Sequence, residues 1–426
     1  MTIVYMLLGL FALVLINVPI AVALGVVTAA AMLIVQGTDI LPNIALVMFD
    51  GATKFPLIAI PLFVFAGAVM NAGGISSRLI NLASALLGFI KGGLAMVTIG
   101  ASMFFAEISG SAVAGVAALG SILIPAMKEK GYSPPFATAV ASSASTLAIV
   151  LPPSIPMIIY AVMAQTSITQ LFLAGFVPGL LGAILMMIVS YLFARKYNFP
   201  VEEAFRLSRV WETFKDAGLA LTLPIIILGG IFGGFVTATE GAGLAVVASV
   251  IIGFIYNELD WRRLQKALVD GGVQTASVMV LVAASALIGV FLTEQQVPQQ
   301  LAQRITEWTD NKYMVLLLLN IFFLIIGCFL HSAAAIILVV PIVIPLINAA
   351  GIDPVHFGLV VTLNLAIGQQ TPPVASVLIT SCAVARANIW EVSKVNVAFV
   401  GVLLAVLMLC TYVPSVPLFL VEYFYR

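Results

Sequence analysis

Apolar runs of membrane length follow one another along almost the whole chain, separated by short polar punctuation. The pattern predicts helices over 3–16 and 20–36, joined by a turn at Asn17-Val18-Pro19. A weakly amphipathic segment over 39–54 is expected at the membrane interface, then a crossing over 56–72 and a short amphipathic piece over 76–90. Two apolar arms over 94–128 surround Glu107-Ile108-Ser109-Gly110-Ser111. A helix over 136–165 is interrupted at Leu151-Pro152-Pro153-Ser154, and a crossing over 170–194 follows. After the most polar stretch, 195–215, the order repeats. Crossings over 216–234 and 239–257 precede an amphipathic arm over 259–272, a crossing over 274–292 and an amphipathic piece over 297–310. Two arms over 313–349 then surround Cys328 to Ser332, a helix over 355–383 is broken at Thr371-Pro372-Pro373-Val374, and a last crossing runs over about 394–415.

The repetition has a constant offset. Asp50-Gly51 recurs as Asp270-Gly271, Pro125 as Pro345, Gly131 as Gly351, Pro134 as Pro354 and Pro152-Pro153 as Pro372-Pro373, each 220 residues on. Between Asp50 and Asp270 the map has five crossings. Five is odd, so the second copy is inverted relative to the first, the arrangement that places transporter sites near the membrane midplane. The Gly/Ser-rich tip of 94–128 and its short arms make each two-armed segment a re-entrant hairpin. The expected fold is therefore an all-α polytopic membrane protein of two inverted repeats, each with a re-entrant hairpin and a Pro-Pro-broken helix. The first repeat is 1–194, 195–215 is a cytoplasmic connector, and the second repeat is 216–426. The hairpins and broken helices, 94–165 and 313–383, are expected to form one mobile transport unit. The segments 1–93, 170–194, 216–312 and 394–426 form its scaffold.

Composition agrees. The chain is 62% hydrophobic and 8% charged, against roughly 25% charged in soluble domains, so it belongs in lipid. Helices rather than a β-barrel follow from the long continuous runs. With zero net charge there is no basic footprint for nucleic acid. On the crossing map fourteen of the 18 basic residues, from Arg78 to Lys394, share one face, and only Lys54, Arg304, Lys312 and Arg426 lie on the other. The basic face should be cytoplasmic, which puts both termini in the periplasm. The start of the chain has no basic run before its first apolar stretch, so that stretch reads as a retained helix. Cys328, Cys382 and Cys410 form no CxxC pair and read as small packing residues.

The two breaks carry the chemistry. Proline removes a donor and clashes with the preceding turn, so each pair frees carbonyls at membrane depth, where unsatisfied backbone is tolerated only against protein, water or an ion. Freed carbonyls and hydroxyls suit Na⁺. The candidate ligands are Ser109, Gly110 and Ser111 with the carbonyls of Val150 to Pro152 in the first copy. In the second they are the Gly327 carbonyl, Thr371 and the carbonyls around Gln369 and Gln370. The half-helix N-termini beyond the breaks suit an anionic substrate group, with Ser154, Asn364, Pro153 and Pro373 as candidate contacts. Glu107 reads either as an ion or proton ligand or as a helix-end carboxylate, and His331 as a titrating group or a packing donor. Glu240, after Thr237 at a helix start, reads as a macrodipole partner.

These residues resemble the large membrane subunit of tripartite ATP-independent periplasmic (TRAP) transporters over essentially the whole chain. The likeness rests on Asn17-Val18-Pro19-Ile20-Ala21, Asn71-Ala72-Gly73-Gly74, Ser109-Gly110-Ser111-Ala112, Leu151-Pro152-Pro153-Ser154-Ile155-Pro156, Thr237-Ala238-Thr239-Glu240 and Thr371-Pro372-Pro373-Val374. Ala238 stands where the family usually has proline, and Ala375 where glycine commonly follows Pro-Pro-Val. The resemblance implies an elevator-type transporter of the ion-transporter superfamily in the bacterial inner membrane, coupled to a Na⁺ gradient, with no organic cofactor. It also implies a small four-helix membrane subunit, a soluble periplasmic substrate-binding protein, and an organic-acid substrate, with local wording like the sialic-acid branch. A self-sufficient sodium/dicarboxylate symporter of the same fold is the alternative. A membrane-embedded hydrolase lacks support, because the chain has no HExxH and no membrane Asp pair. A proton-channel subunit would need Lys and Glu at helix midpoints, where the chain has few.

Overall fold

The computed structural model describes residues 2–425 except 17, 202, 203 and 310, and omits the side chains of 2–4, 7, 11, 14, 15, 107–109, 306 and 308. All regular structure among the described residues is helical. Eight helices are long and apolar enough to cross a membrane, or nine if Leu207–Asp216 and Gly218–Phe232, bent by 66°, form one span. Three of the eight, Ala112–Glu129, Lys312–Phe329 and Ser332–Ala349, are hairpin arms. The broken helices escape a length test because each half is short: Pro134–Ser145 and Ile155–Ala164 in one, Pro354–Gly368 and Ser376–Ala385 in the other.

The expected elements are present, with three differences. The arm over 259–272 and the crossing over 274–292 are one unbroken helix, Trp261–Glu294, started by the Asp260 carboxylate accepting from the Arg263 amide at 2.7 Å. At a rise of 1.5 Å per residue its 34 residues reach about 51 Å, well past a hydrocarbon core of about 30 Å. The first repeat does break here: the arm Leu41–Ala52 ends before the crossing Phe55–Ala72, with Lys54 extended at φ −60°, ψ 126°. The reason is one residue. Pro56 has no N–H for the Ala52 carbonyl and its ring collides with the preceding turn, whereas its counterpart in the second repeat is Ala276. The second difference is an amphipathic helix, Leu207–Asp216, inside the polar connector. The third is a terminal helix, Ser415–Tyr425, which packs on the crossing Ile168–Tyr197.

The helix ends gather as the charge map requires. Arg78 pairs with Asp216 at 3.2 Å and Glu258 at 3.8 Å, Lys91 reaches Asn198 at 2.7 Å, and Lys128 donates to the Ala385 carbonyl at 2.8 Å. Tyr132 stacks on Phe199. These contacts join 78, 91, 128–132, 198–216, 258 and 385 into one basic face. Opposite ends meet elsewhere: the Tyr160 hydroxyl donates to the Pro354 carbonyl, Gln36 to Glu294, and Tyr313 packs on Tyr412. Pro134 opens its broken helix beside Tyr132 on the basic face, while Pro354 opens the equivalent helix at the other end. That is the inversion.

The repeats interlock reciprocally. Ala112–Glu129 packs on Ser376–Ala385, and its counterpart Ser332–Ala349 on Ile155–Ala164. The repeated Asp-Gly pairs mark the same relation. A Cβ on Gly51 would overlap the Cβ of Ala286, and one on Gly271 would lie 3.5 Å from Phe65 Cα, beside the residue equivalent to Ala286. Close helix approach through small residues is what drives association where lipid removes the hydrophobic incentive. The crossings Ile168–Tyr197 and Ile389–Tyr412, expected in the scaffold, pack directly on the broken helices of both repeats.

Gly51→Ala is expected to lower stability by about 1–3 kcal/mol through overpacking, and Ala286→Gly in the same chain to restore most of it. Thermal unfolding of the purified single and double variants measures both, and equal melting temperatures for Gly51→Ala and the parent would remove this contact as a determinant of the fold.

Candidate functional site

The first break is closed by its own side chains. The chain leaves Pro134–Ser145 through a tight turn, Thr146–Ile149, passes Pro152-Pro153 in cis, and re-enters a helix at Ile155. The Ser154 hydroxyl donates to the Ile149 carbonyl at 2.7 Å and accepts from the Met157 amide at 3.4 Å, so one side chain serves a freed acceptor and a freed donor. The Val150 carbonyl packs on Gly175 of Ile168–Tyr197 where a side chain would collide. Above the break sits the hairpin tip: a Cβ on Gly110, whose φ is +55°, would lie 3.1 Å from the Pro153 carbonyl oxygen.

The second break uses backbone instead. The Cys328 carbonyl, at the second hairpin tip, accepts from the amides of Val374 (3.2 Å) and Ala375 (3.1 Å). The Gln369 carbonyl accepts from Val377 and Leu378. Gly327 and Gly368 approach so closely that a Cβ on Gly368 would lie 2.6 Å from Gly327 Cα. Ala375 takes the left-handed conformation, φ 50°, ψ 63°, to start Ser376–Ala385. A buried network continues outward. The Ser143 hydroxyl lies 2.6 Å from Gln370 Oε1 and 2.7 Å from Asn396 Oδ1. Asn396 Nδ2 donates to the Gln370 carbonyl at 3.0 Å, and Gln370 Nε2 reaches Thr146 at 3.3 Å. It joins both broken helices to the last crossing.

The two tips meet around one cavity of about 500 Å³. Gly110, Ser111 and Ala114 line it from the first hairpin, and His331, Ser332 and Ala334 from the second. Ile149, Ile155 and Pro156 come from the first break, and Gln274, Ser277 and Leu281 from the long helix. Ser111 and His331 are repeat equivalents, as are Ala114 and Ala334, so the pseudo-twofold relation runs through the cavity. Three helices start on it: Ala112–Glu129, Ile155–Ala164 and Ser332–Ala349. Their N-terminal dipole ends favour an anion, and no carboxylate is among its described lining residues.

The candidate residues divide accordingly. Gly110 and Ser111 line the cavity, and the side chain of Ser109, like that of Glu107, lies outside the described residues. Ser154 is buried in its cap role, with Pro152 and Pro153 beside it. Asn364 sits inside Pro354–Gly368, donating to Asn320 Oδ1 at 2.7 Å, with Asn320 donating to Thr411 at 3.1 Å; this chain ties helices together away from the cavity. Pro373 is exposed and outside the lining. Sequence reasoning missed Gln274, Ser277 and Ser332 as cavity residues; the constant offset applied to Ser111-Ala112 points at His331-Ser332.

For a cation the breaks offer neutral oxygens only. No cluster of His, Cys, Asp and Glu is found among the described residues. At the second break the carbonyls of Gln369 and Gln370 are already hydrogen-bonded within the chain, and the Thr371 hydroxyl donates to the Ile367 carbonyl at 2.8 Å, keeping its lone pairs. The buried Gln369 amide leaves its terminal nitrogen unpartnered, while its oxygen is 3.4 Å from Ser376 Oγ. Gln369 Oε1 keeps acceptor capacity beyond that long contact. The Gly327 carbonyl, Thr371 and the Gln369 side chain therefore fit a monovalent ion better than a divalent one, which draws on carboxylates.

The match to known proteins is extensive. The family described as tripartite ATP-independent periplasmic transporter, DctM component, covers residues 7–416. The chain belongs to this family. It is 42% identical to the isethionate TRAP transporter permease protein DctMQ of Oleidesulfovibrio alaskensis, over 96% of this chain but 65% of that longer protein. It is 38% identical to the C4-dicarboxylate large permease protein DctM of Pseudomonas aeruginosa, over 92% of each chain. It is 36% identical to the sialic acid large permease protein SiaM of Vibrio cholerae, over 93% of each. The Alcanivorax borkumensis YdaH transporter shares the fold at 15% identity, with a TM-score of 0.66 over 92% of this chain and 96% of that one. The chain is thus a multi-pass large permease of a TRAP transporter.

Its two departures from the family's wording have separate consequences. Ala238 opens Ala238–Ile255 under a full capping box, with the Glu240 carboxylate accepting from the Thr237 amide at 2.8 Å and Thr237 Oγ1 from the Glu240 amide at 3.3 Å. That start needs no proline. Ala375 occupies a left-handed position that glycine tolerates freely and other residues do not.

Ala375→Gly is expected to change stability by no more than about 1 kcal/mol, because relief at φ 50° is offset by lost burial and added unfolded-state freedom. Ala375→Val should cost more than about 2 kcal/mol. Thermal unfolding compares the three, and tolerance of valine would contradict the left-handed geometry. Asn396→Leu should cost about 1–3 kcal/mol by leaving the Gln370 carbonyl without its side-chain donor, while Ser143 keeps Gln370 Oε1, read in the same assay as a lowered melting temperature with normal membrane insertion.

Proposed function

We propose that this permease carries a small organic anion into the cell by Na⁺-coupled secondary transport. The substrate would be handed over by a soluble periplasmic binding protein, and a small four-helix membrane subunit would be bound to the scaffold. The observation that carries the reading is the cavity where three helix N-termini converge between two hairpin tips, with no carboxylate among its described lining residues. Such a site favours a carboxylate or sulfonate. Isethionate, C4-dicarboxylates and sialic acid, named for the relatives, all carry one. The neutral donors at the breaks (Gly327, the Gln369 side chain, Thr371, and Ser111 and the Val150 carbonyl in the other copy) would hold Na⁺ and supply positive charge beside the anion. The basic face is then cytoplasmic and both termini periplasmic.

An elevator movement accounts for alternating access, since free backbone at the breaks must stay covered by protein. The moving body in this reading comprises the hairpins and broken helices together with Ile168–Tyr197 and Ile389–Tyr412. Both crossings pack on the broken helices, and Ile389–Tyr412 is also hydrogen-bonded to the second break through Asn396. This enlarges the unit expected from the repeats alone.

Uptake of radiolabelled isethionate, succinate and sialic acid into proteoliposomes, with and without an inward Na⁺ gradient and with and without the co-expressed small subunit and binding protein, tests the proposal. Gradient-dependent uptake of one of them is expected only with the partners. Uptake by this chain alone would favour the self-sufficient symporter, and uptake indifferent to Na⁺ would remove the coupling. Thr371→Ala should raise half-saturating Na⁺ about tenfold, equivalent to about 1.4 kcal/mol of binding, with expression unchanged.

A further inference from the structure

Two further cavities flank the long helix, one at each end. The cavity at the basic face, about 580 Å³, is lined by Ala267, Asp270, Gly271 and Gln274. The cavity at the other face, about 510 Å³, is lined by Val47, Asp50, Gly51 and Lys54. These are the same four positions in the two repeats, each 220 residues apart. What differs is the hairpin wall. The basic-face cavity reaches Ala114 and shares both Ala114 and Gln274 with the central cavity, so the two adjoin at that throat. The opposite cavity shares no lining residue with the central one. Its hairpin wall is Pro341, seven residues beyond Ala334, the equivalent of Ala114. The central cavity therefore adjoins the basic-face cavity and not the opposite one. Making the two sides equivalent requires the second hairpin to advance by two helical turns, about 10 Å at 1.5 Å per residue.

We propose that Lys54, placed across from Ala334 in the oppositely open state, lines the outer throat and is the first side chain to meet the incoming anion. The inference rests on the transport reading above. The inverted repeat maps the present throat, Gln274 against Ala114, onto Lys54 against Ala334. Lys54 is exposed and forms no ion pair among the described residues. It lines the outer cavity and the adjoining one that contains Gln165 and Thr166. Asp50 and Glu294 line the same outer cavity, so without Lys54 an arriving anion faces two carboxylates and no cation. The inner throat has neutral Gln274 in the same place. At that one position the outer side carries a cation and the inner side an amide, while the inner cavity's own charges, Arg263, Lys266 and Asp270, lie elsewhere on its lining.

The test uses the full chain with its partner subunits in proteoliposomes. A short bifunctional maleimide is expected to bridge Lys54→Cys to Pro341→Cys in the state seen here, and to bridge Lys54→Cys to Ala334→Cys after the movement; linked peptides are read by mass spectrometry. Failure of the 54–334 bridge under conditions where the 54–341 bridge forms overturns the proposal. Lys54→Gln should raise KM for isethionate, succinate or sialic acid about three- to tenfold at low salt, with the gap shrinking as salt rises, kcat little changed, and Lys54→Arg restoring the parent value. An unchanged KM, or a loss that neither arginine nor salt alters, also overturns it. If the parent takes up none of the three anions, the transport reading fails on its own account, and the cross-links still decide the throat.

Discussion

A peptide group without a partner inside hydrocarbon costs several kcal/mol, and two Pro-Pro pairs create a set of them at membrane depth. Most of the surrounding architecture answers that cost. Each hairpin carries its tip to a break: Gly110 against the Pro153 carbonyl, and Cys328 accepting from Val374 and Ala375. Glycine is needed where tips and breaks touch, at Gly110, Gly327 and Gly368, and where the crossing Ile168–Tyr197 meets the first break, at Gly175, because backbone must approach backbone or carbonyl with no Cβ between. The hairpins are thus lids for the breaks, and their second arms start where the breaks need cover. That is why the helix N-termini converge on the same place.

The repeats share this constraint and solve it differently. The first break relies on a serine that serves donor and acceptor at once, and the second on the backbone of its hairpin plus a left-handed Ala375. The Ser143–Gln370–Asn396 network has no counterpart, since the equivalents of Gln370 and Asn396 are Val150 and Phe176. The second break is therefore tied to helices of both repeats by side chains, and the first mainly by packing. An inverted repeat with unequal halves can have unequal inward and outward states, and the charge difference between Lys54 and Gln274 is one such inequality.

Much of this was legible in the residues. The constant offset, the paired prolines and the parity of crossings led to two inverted copies, each with a hairpin and a broken helix. Less legible was continuity. Hydropathy splits 259–292 because its first half is amphipathic, yet the backbone has no reason to stop without a proline at 276. The site was half legible. Ser111 and the breaks stand out by composition; Asn364, polar beside a break, is hydrogen-bonded to Asn320 and to the Val360 carbonyl and is outside the cavity lining. Gln274 and Ser277 lie mid-helix with no local signal. Only the three-dimensional placement of the long helix against the tips brings them to the cavity.

The hydrogen bonds also constrain where a moving body can slide. Asn396 binds Gln370 and Ser143, Thr411 binds Asn320, and Lys128 binds Ala385. Each is worth roughly 1–3 kcal/mol if broken without replacement in a dry environment. A boundary that ran between Ile389–Tyr412 and the hairpins and broken helices would sever the first two sets together. The long helix faces the cavity with Gln274, Ser277, Val278 and Leu281, side chains with no hydrogen bond to the hairpins or broken helices among the described residues, so its neighbours there can be exchanged at little cost. Its ends carry the two Asp-Gly approaches that hold it to the arm Leu41–Ala52 and the crossing Phe55–Ala72. In the reading proposed here the fixed body is therefore those three elements, bound through small residues, and the breaks travel with every helix that hydrogen-bonds to them.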